Sequence, residues 1–385
     1  MAEFDWHKCR FLESSENLKP LVHARVGRTP STSIAREIAA CLQQGRQFYE
    51  AATSSPLEIR PLQLFYGMVG FAKALVVARR LSSLSTLRHA HGLSDISAAN
   101  CRIAELRVKI GEAGTFQEFN DVVADLTRLC YYGASTRPLA LYLPSSKSDR
   151  LCGLEMSLQD VLSRIPGLQS LYRVTFGEDA HTASFQLYND VTNTAGWKVR
   201  IDDSELFHDR ESLRTIVGRW RTRFPFLHTW SVVSAQHAWG YSVILFENIE
   251  HGGLDELGED YLVGEGDSYE VHLPPERRAA RFDFSERLSP VGGGYYSGAS
   301  PYAISPANGY YLSEFSLHYL ALFLLSSLVR YRPQTWVHAI SRTAISEAAP
   351  DDKALSLVEL FLDVNSSAVP QMIVTALNPY EDRYA

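Results

Sequence analysis

Two apolar stretches at opposite ends of the chain constrain its fold more than any other feature. "LFYGMVGFAKALVV" (64–77) and "HYLALFLLSSLV" (318–329) are each apolar nearly all the way round a helix, so neither can lie on a surface with one face in water. The economical solution is for the two segments to cover each other, which predicts N- and C-terminal helices sharing one core. Pro61 suits the first helical turn of the earlier segment, where its missing N–H costs nothing. Leu64, Tyr66, Phe71, Leu75 and Val76 supply its bulk. Gly67 and Gly70 each cost about 1 kcal/mol in a helix relative to Ala. Their presence predicts close approach of another element.

With 385 residues the chain can bury a large core, as two domains or as one large domain with an insertion. A composition of 45% hydrophobic and 21% charged residues is that of a globular protein. The net charge of −7 disfavours a polyanionic partner, because binding phosphates draws on Lys and Arg. A nucleic-acid role would need a local basic patch, for which "RRLSSLSTLRHAH" and "RWRTRF" are the candidates. Cys9, Cys41, Cys101, Cys130 and Cys152 form no C-x-x-C pair and match no zinc spacing. They read as reduced, mostly buried thiols. No motif requires a metal or cofactor. The N-terminal residues include acids and no apolar core of a signal peptide, and "FSLHYLALFLLSSLV", which contains His318, is short for a bilayer. The expectation is a cytoplasmic protein with no membrane association.

Along the chain, 1–170 reads as a helical region. It includes "STSIAREIAACLQQGRQFYEAA" behind a Ser/Thr cap, a turn at "LRHAHGLSD" with Gly92 ending the helical stretch, and a helix started by Thr115. "SLQDVLSRIPGLQSLY" reads as a short helical pair split before Pro166. From 171 to 288 the pattern becomes β-containing: "YRVTFG", "ASFQLYN", "WKVRID", "TWSVVSAQ" and "GYSVILFEN" are short, aromatic and β-branched. A helix, "DRESLRTIVGRWRTRF", interrupts them. From 289 to 385 a Gly/Tyr-rich loop leads back to helices. The fold class is α+β, predominantly helical with a β-containing middle segment.

Chemistry-bearing motifs are sparse. "VGGGYYSG" lacks the lysine of a P-loop and reads as a surface connection. Its Tyr295 and Tyr296 are candidate binding residues, since tyrosine is favoured at interfaces. His89 and His91 stand two apart without an evident third metal ligand. No nucleophile elbow occurs, and the pairs Asp202/Asp203 and Asp351/Asp352 lie in turn-like segments. One spacing remains, Arg332 and His338 in "RYRPQTWVH". A metal-free ribonuclease must move a proton from the ribose 2′-hydroxyl and stabilise a charged phosphorane. Histidine and arginine suit those tasks, and this spacing resembles that of HEPN ribonucleases. Pro333, however, pushes Arg332 out of the helical conformation. On the alternative reading, Arg330 and Arg332 complement the negative end of the preceding helix, and Trp336 packs against it. Arg330 and Trp336 are then binding rather than catalytic candidates.

"PLQLFYGMVGFAKALVV", "HGL", "GTF", "SLQDVLSRIPGLQSLY" and "LHYLALFLLSSLVRYRPQTW", in that order, resemble the YaaC-like family of bacterial proteins. Gly70 departs from the family, which tends to have Asn there. The resemblance implies bacterial cytoplasmic origin and a largely helical body, and it assigns no catalytic residue. The resulting expectation is a non-catalytic or partner-dependent component of a multi-protein system, with defence or stress as the setting. It would act through a protein partner or as a homo-oligomer. A HEPN-like ribonuclease using Arg332 and His338 is the alternative, and a nucleotide or small-molecule binder is a third reading.

Overall fold

Apolar residues on every face place the helix α4 (Arg60–Arg80) in the middle of the molecule, with residues such as Phe65, Met68, Phe71 and Leu75 fully buried. The computed structural model describes residues 4–99, 101–124, 126, 128–132, 138–142, 145–189, 197–202, 213–238, 241–247, 262–265, 268–271, 291–292, 302–340 and 353–379. Against α4 pack α2 (Ser15–Val26), α3 (Thr32–Thr53) and α5 (Thr115–Val123), with α1 (Trp6–Leu12) packed against α3. The short helices α6 (Ser148–Leu151), α7 (Leu158–Leu162) and α8 (Gln169–Phe176) follow. After α9 (Leu213–Arg223) the chain returns with α10 (Glu314–Tyr331), α11 (Pro333–Ile340) and α12 (Leu355–Leu377). Two of these helices, α4 and α12, are long and apolar enough to cross a membrane, but 72% of the most apolar window of each lies inside the fold.

The two greasy segments do clasp. Phe65 of α4 meets Tyr319 and Phe323 of α10 at ring-centroid distances of 5.7 and 6.0 Å. One continuous apolar cluster takes in residues from Cys9 to Ala180 and from Ile304 to Leu377. The glycines explain how α3 and α4 approach so closely. A Cβ on Gly70 would stand 3.0 Å from the backbone nitrogen of Gly45, and one on Gly67 would stand 2.5 Å from the Tyr49 ring. A side chain at position 70 would therefore press directly on the α3 backbone, which is the close approach that its glycine predicts.

Three polar side chains within this core bond one another in a chain. The Tyr49 hydroxyl donates to Asn365 Oδ1 at 2.8 Å, and Asn365 Nδ2 lies 2.9 Å from His318 Nδ1. With the amide oriented by Tyr49, Nδ2 donates to Nδ1, while His318 Nε2 lies 3.7 Å from Glu314 Oε1 without a hydrogen-bond partner among the described residues. These residues tie α3, α10 and α12 together without access to water.

A three-stranded antiparallel sheet, β1 (Leu93–Asp95), β2 (Arg107–Ile110) and β5 (Glu155–Ser157), in the order β1-β2-β5, interrupts the N-terminal helices. The larger sheet includes β3 (Arg128–Tyr132), β4 (Pro138–Tyr142), β6 (Thr182–Asn189), β7 (Trp197–Asp202), β8 (Ser231–Ala238) and β9 (Tyr241–Glu247), the last four where helix-poor, β-branched sequence is densest. Alternation sets its buried face: Val199 opposes Phe246 and Ile201 opposes Ile244 across β7 and β9. Two local expectations need correction. "YRVTFG" belongs to helix α8 and its cap, not to a strand, because Tyr172 and Thr175 recur at helical spacing on the buried face. The long helix also ends well before Gly92, at Leu81, which takes the left-handed conformation with φ 52°.

Candidate functional site

The C-terminal end of α10 opens into a cavity of about 430 Å³ lined by His91, Leu93, Asp95, Phe323, Ser327, Arg330, Tyr331 and Arg332. It is assembled from sequence-distant pieces, and the glycine motifs explain how. Gly92 has φ +77°, and a Cβ there would fall 1.7 Å from Gln117 Oε1. Gln117 Nε2 donates to the carbonyls of Gly92 and Gly111, both at 2.8 Å. The first turn of α5 locks onto the same loop, with Thr115 N donating to Ala90 O at 2.8 Å and Phe116 N to His91 O at 3.1 Å. "HGL" and "GTF" are thus two halves of one joint. That joint sets His91 beside Phe65, 5.3 Å between ring centroids, and beside Phe323 at 6.2 Å.

Arg332 follows the last residue of α10 with φ −136° and ψ 50°, and Pro333 begins the next helix. This is the break that proline imposes on the residue before it. The guanidinium reaches the loop after β1: Nη1 donates to Ala98 O at 2.5 Å, and Nη2 donates to Ser97 O at 2.8 Å. It also stands 3.8 Å from Asp95 Oδ1. Asp95 in turn accepts from Ser327 Oγ at 2.6 Å and from the backbone N–H of Ser97 at 2.9 Å. Burial pushes the Asp95 carboxyl up, but these hydrogen bonds and the Arg332 charge outweigh it and hold it below the ordinary carboxylate range.

Arg330 is held differently. Its Nε donates to Ser326 O at 3.2 Å, which satisfies a carbonyl in the last turn of α10. Its guanidinium lies 5.8 Å from the centre of Phe65 and 4.9 Å from that of Tyr331, itself 70% exposed. Among the described residues, the terminal nitrogens of Arg330 have no hydrogen-bond acceptor and no ion-pair partner. The His91 ring likewise has no hydrogen bond. Burial first, then the charges of Arg330 and Lys73, pull the His91 pKa down, so its ring is neutral at pH 7. A neutral imidazole still carries one N–H donor.

The sequence candidates therefore separate. Arg330 and Arg332 both reach the cavity. Trp336 is buried, with Nε1 donating to Glu58 O at 3.0 Å, and anchors α11 to the turn before α4. His338 lies on α11, six residues beyond Arg332. Tyr295 and Tyr296 lie outside the described residues. Asp95, Ser327 and Tyr331 are not among those candidates: Ser327 and Tyr331 lie within "LHYLALFLLSSLVRYRPQTW", which reads as a buried helix and its end, and only "HGL" and "GTF" point toward the loop that carries Asp95. Among the described residues no group of three His, Cys, Asp or Glu side chains is placed to hold a metal ion. Chemically, the cavity offers N–H donors and a cation beside aromatic surface.

A family model described as YaaC-like Protein matches residues 10–377. Among curated proteins no match is found. No solved structure matches either.

Proposed function

The chain belongs to the YaaC-like protein family, and from that premise we propose that it is a non-catalytic, partner-dependent component of a bacterial multi-protein system rather than a ribonuclease. The observation that carries this reading is how Arg332 is engaged. Its guanidinium is occupied by two loop carbonyls and by Asp95. A phosphorane-stabilising arginine needs free N–H groups aimed at the reacting phosphoryl oxygens. Arg332 instead joins the end of α10 to the loop after β1, a structural task.

Two measurements test the reading. Purified full-length protein is expected to leave single-stranded RNA intact. Cleavage by the wild type that disappears in the Arg332→Ala, His338→Ala variant would overturn it. Affinity purification from the native host, with light scattering on the purified chain, is expected to give a stoichiometric protein partner or a defined homo-oligomer. A monomer that retains no protein counts against it.

A further inference from the structure

We propose that the cavity at the end of α10 binds a small organic phosphate carrying an aromatic ring, of which a nucleoside monophosphate is the simplest, with the phosphate on Arg330 and His91 and the ring against Tyr331. This goes beyond the partner-dependent reading and does not rest on it.

Charge comes first. Arg332 and Asp95 stand 3.8 Å apart and offset each other, and Asp95 is further engaged by Ser327 and Ser97. What remains uncompensated in the lining is Arg330. Its Nε is used on Ser326 O, while its outer N–H groups are left to meet an oxyanion, and a guanidinium meets phosphate oxygens in pairs. Phe65 brings the second donor into place: Arg330 and His91 each pack within 6 Å of that one ring.

Shape and polarity narrow the ligand. Leu93, Phe323 and the exposed Tyr331 contribute apolar surface to the lining of the same cavity. Inorganic phosphate would use none of that surface, whereas a nucleobase stacks on an aromatic ring whatever its identity. A volume of about 430 Å³ lies within the range of small-ligand sites. The chain's net charge of −7 opposes a long polyanion, so a single nucleotide fits better than a strand of nucleic acid.

The test is calorimetry and thermal shift on the full chain with four ribonucleoside monophosphates, the matching nucleosides, inorganic phosphate and a short single-stranded RNA. At least one monophosphate is expected to raise the melting temperature, and to bind about tenfold or more tighter than its nucleoside or inorganic phosphate. Arg330→Ala is expected to weaken that binding about tenfold or more, and Arg330→Lys, which keeps charge but loses the planar fork, by less. Tyr331→Ala is expected to weaken monophosphate binding while leaving inorganic phosphate unchanged. Circular dichroism shows whether each variant is folded, and the exposed Tyr331 gives an arm insensitive to core damage. No binding by wild type, equal binding of nucleoside or inorganic phosphate, tighter binding of the RNA, or folded Arg330→Ala protein that binds as wild type would each overturn the proposal.

Discussion

The N-terminal part and the C-terminal end of α10 carry polar groups under opposite conditions. Near its start, His318 is fully buried, and its Nδ1 is met by Asn365, which Tyr49 holds in turn. At the end, Arg330 puts only its Nε on a protein carbonyl and turns the rest toward a cavity. Arg332, two residues further on, is closed again on Ser97 and Ala98. A buried polar group must find partners within the protein, because leaving it unpaired in the interior costs about 1–3 kcal/mol. A group at a cavity mouth has water as an alternative and can remain free for a ligand. The contrast teaches that residue type alone does not mark a site: His318 is sealed in the core, and the Arg332 guanidinium is already engaged by loop carbonyls and Asp95.

The largest expected effect comes from breaking the buried network around His318. Asn365→Ala would orphan the Tyr49 hydroxyl and His318 Nδ1 together and leave a cavity between α3, α10 and α12. A loss of about 3 kcal/mol in unfolding free energy is expected by urea denaturation. If the comparison holds, ligand binding at the α10 end stays unchanged in the protein that remains folded. A variant with wild-type stability would show that this network contributes nothing.

Gly67→Ala presses on the same network from outside. The new methyl would fall 2.5 Å from the buried Tyr49 ring, which must shift against its bond to Asn365. Overpacking of this kind costs about 1–3 kcal/mol, against which Ala recovers about 1 kcal/mol of helix propensity. The net expectation is a destabilisation of about 1 kcal/mol, read as a fall in melting temperature. A stabilised variant would mean that the ring yields freely.

The smallest effect is at the cavity end and depends on pH. Asp95 has its folded-state pKa held below the unfolded value. Its contribution is therefore present above the unfolded pKa and lost as pH falls through the folded one. Asp95→Asn is expected to cost about 1 kcal/mol at neutral pH through weakened charge-assisted hydrogen bonds. The gap from wild type should close in acid, below the ordinary carboxylate range. A gap that stays constant with pH would remove the charge on Asp95 from the explanation.

Much of the helical body was legible in the sequence because periodicity and caps are local. Ser31 caps α3 by accepting from Ile34 N at 3.2 Å, and Ser313 does the same for α10 through Ser316 N. Pro333 breaks the chain at Arg332 as the rule for pre-proline residues requires. The short strands β1, β2 and β5 were less legible, since three or four residues carry little alternation and their pairing partners lie far along the chain. The segment misread as a strand, "YRVTFG", has residues that suit either state, and packing of Tyr172 and Thr175 decided for the helix.

The sequence alone determined that two apolar helices must cover each other, that glycines would let neighbouring backbones approach, and that an arginine–proline corner would end the buried helix. Each follows from hydrophobicity or backbone sterics acting over a few residues. Only the tertiary structure decided which polar groups are complete and which are open. Whether Arg330, Arg332 or His318 finds a partner depends on loops and helices that reach it from distant parts of the chain. That long-range geometry makes Arg332 a joint and leaves the neighbouring Arg330 facing a cavity.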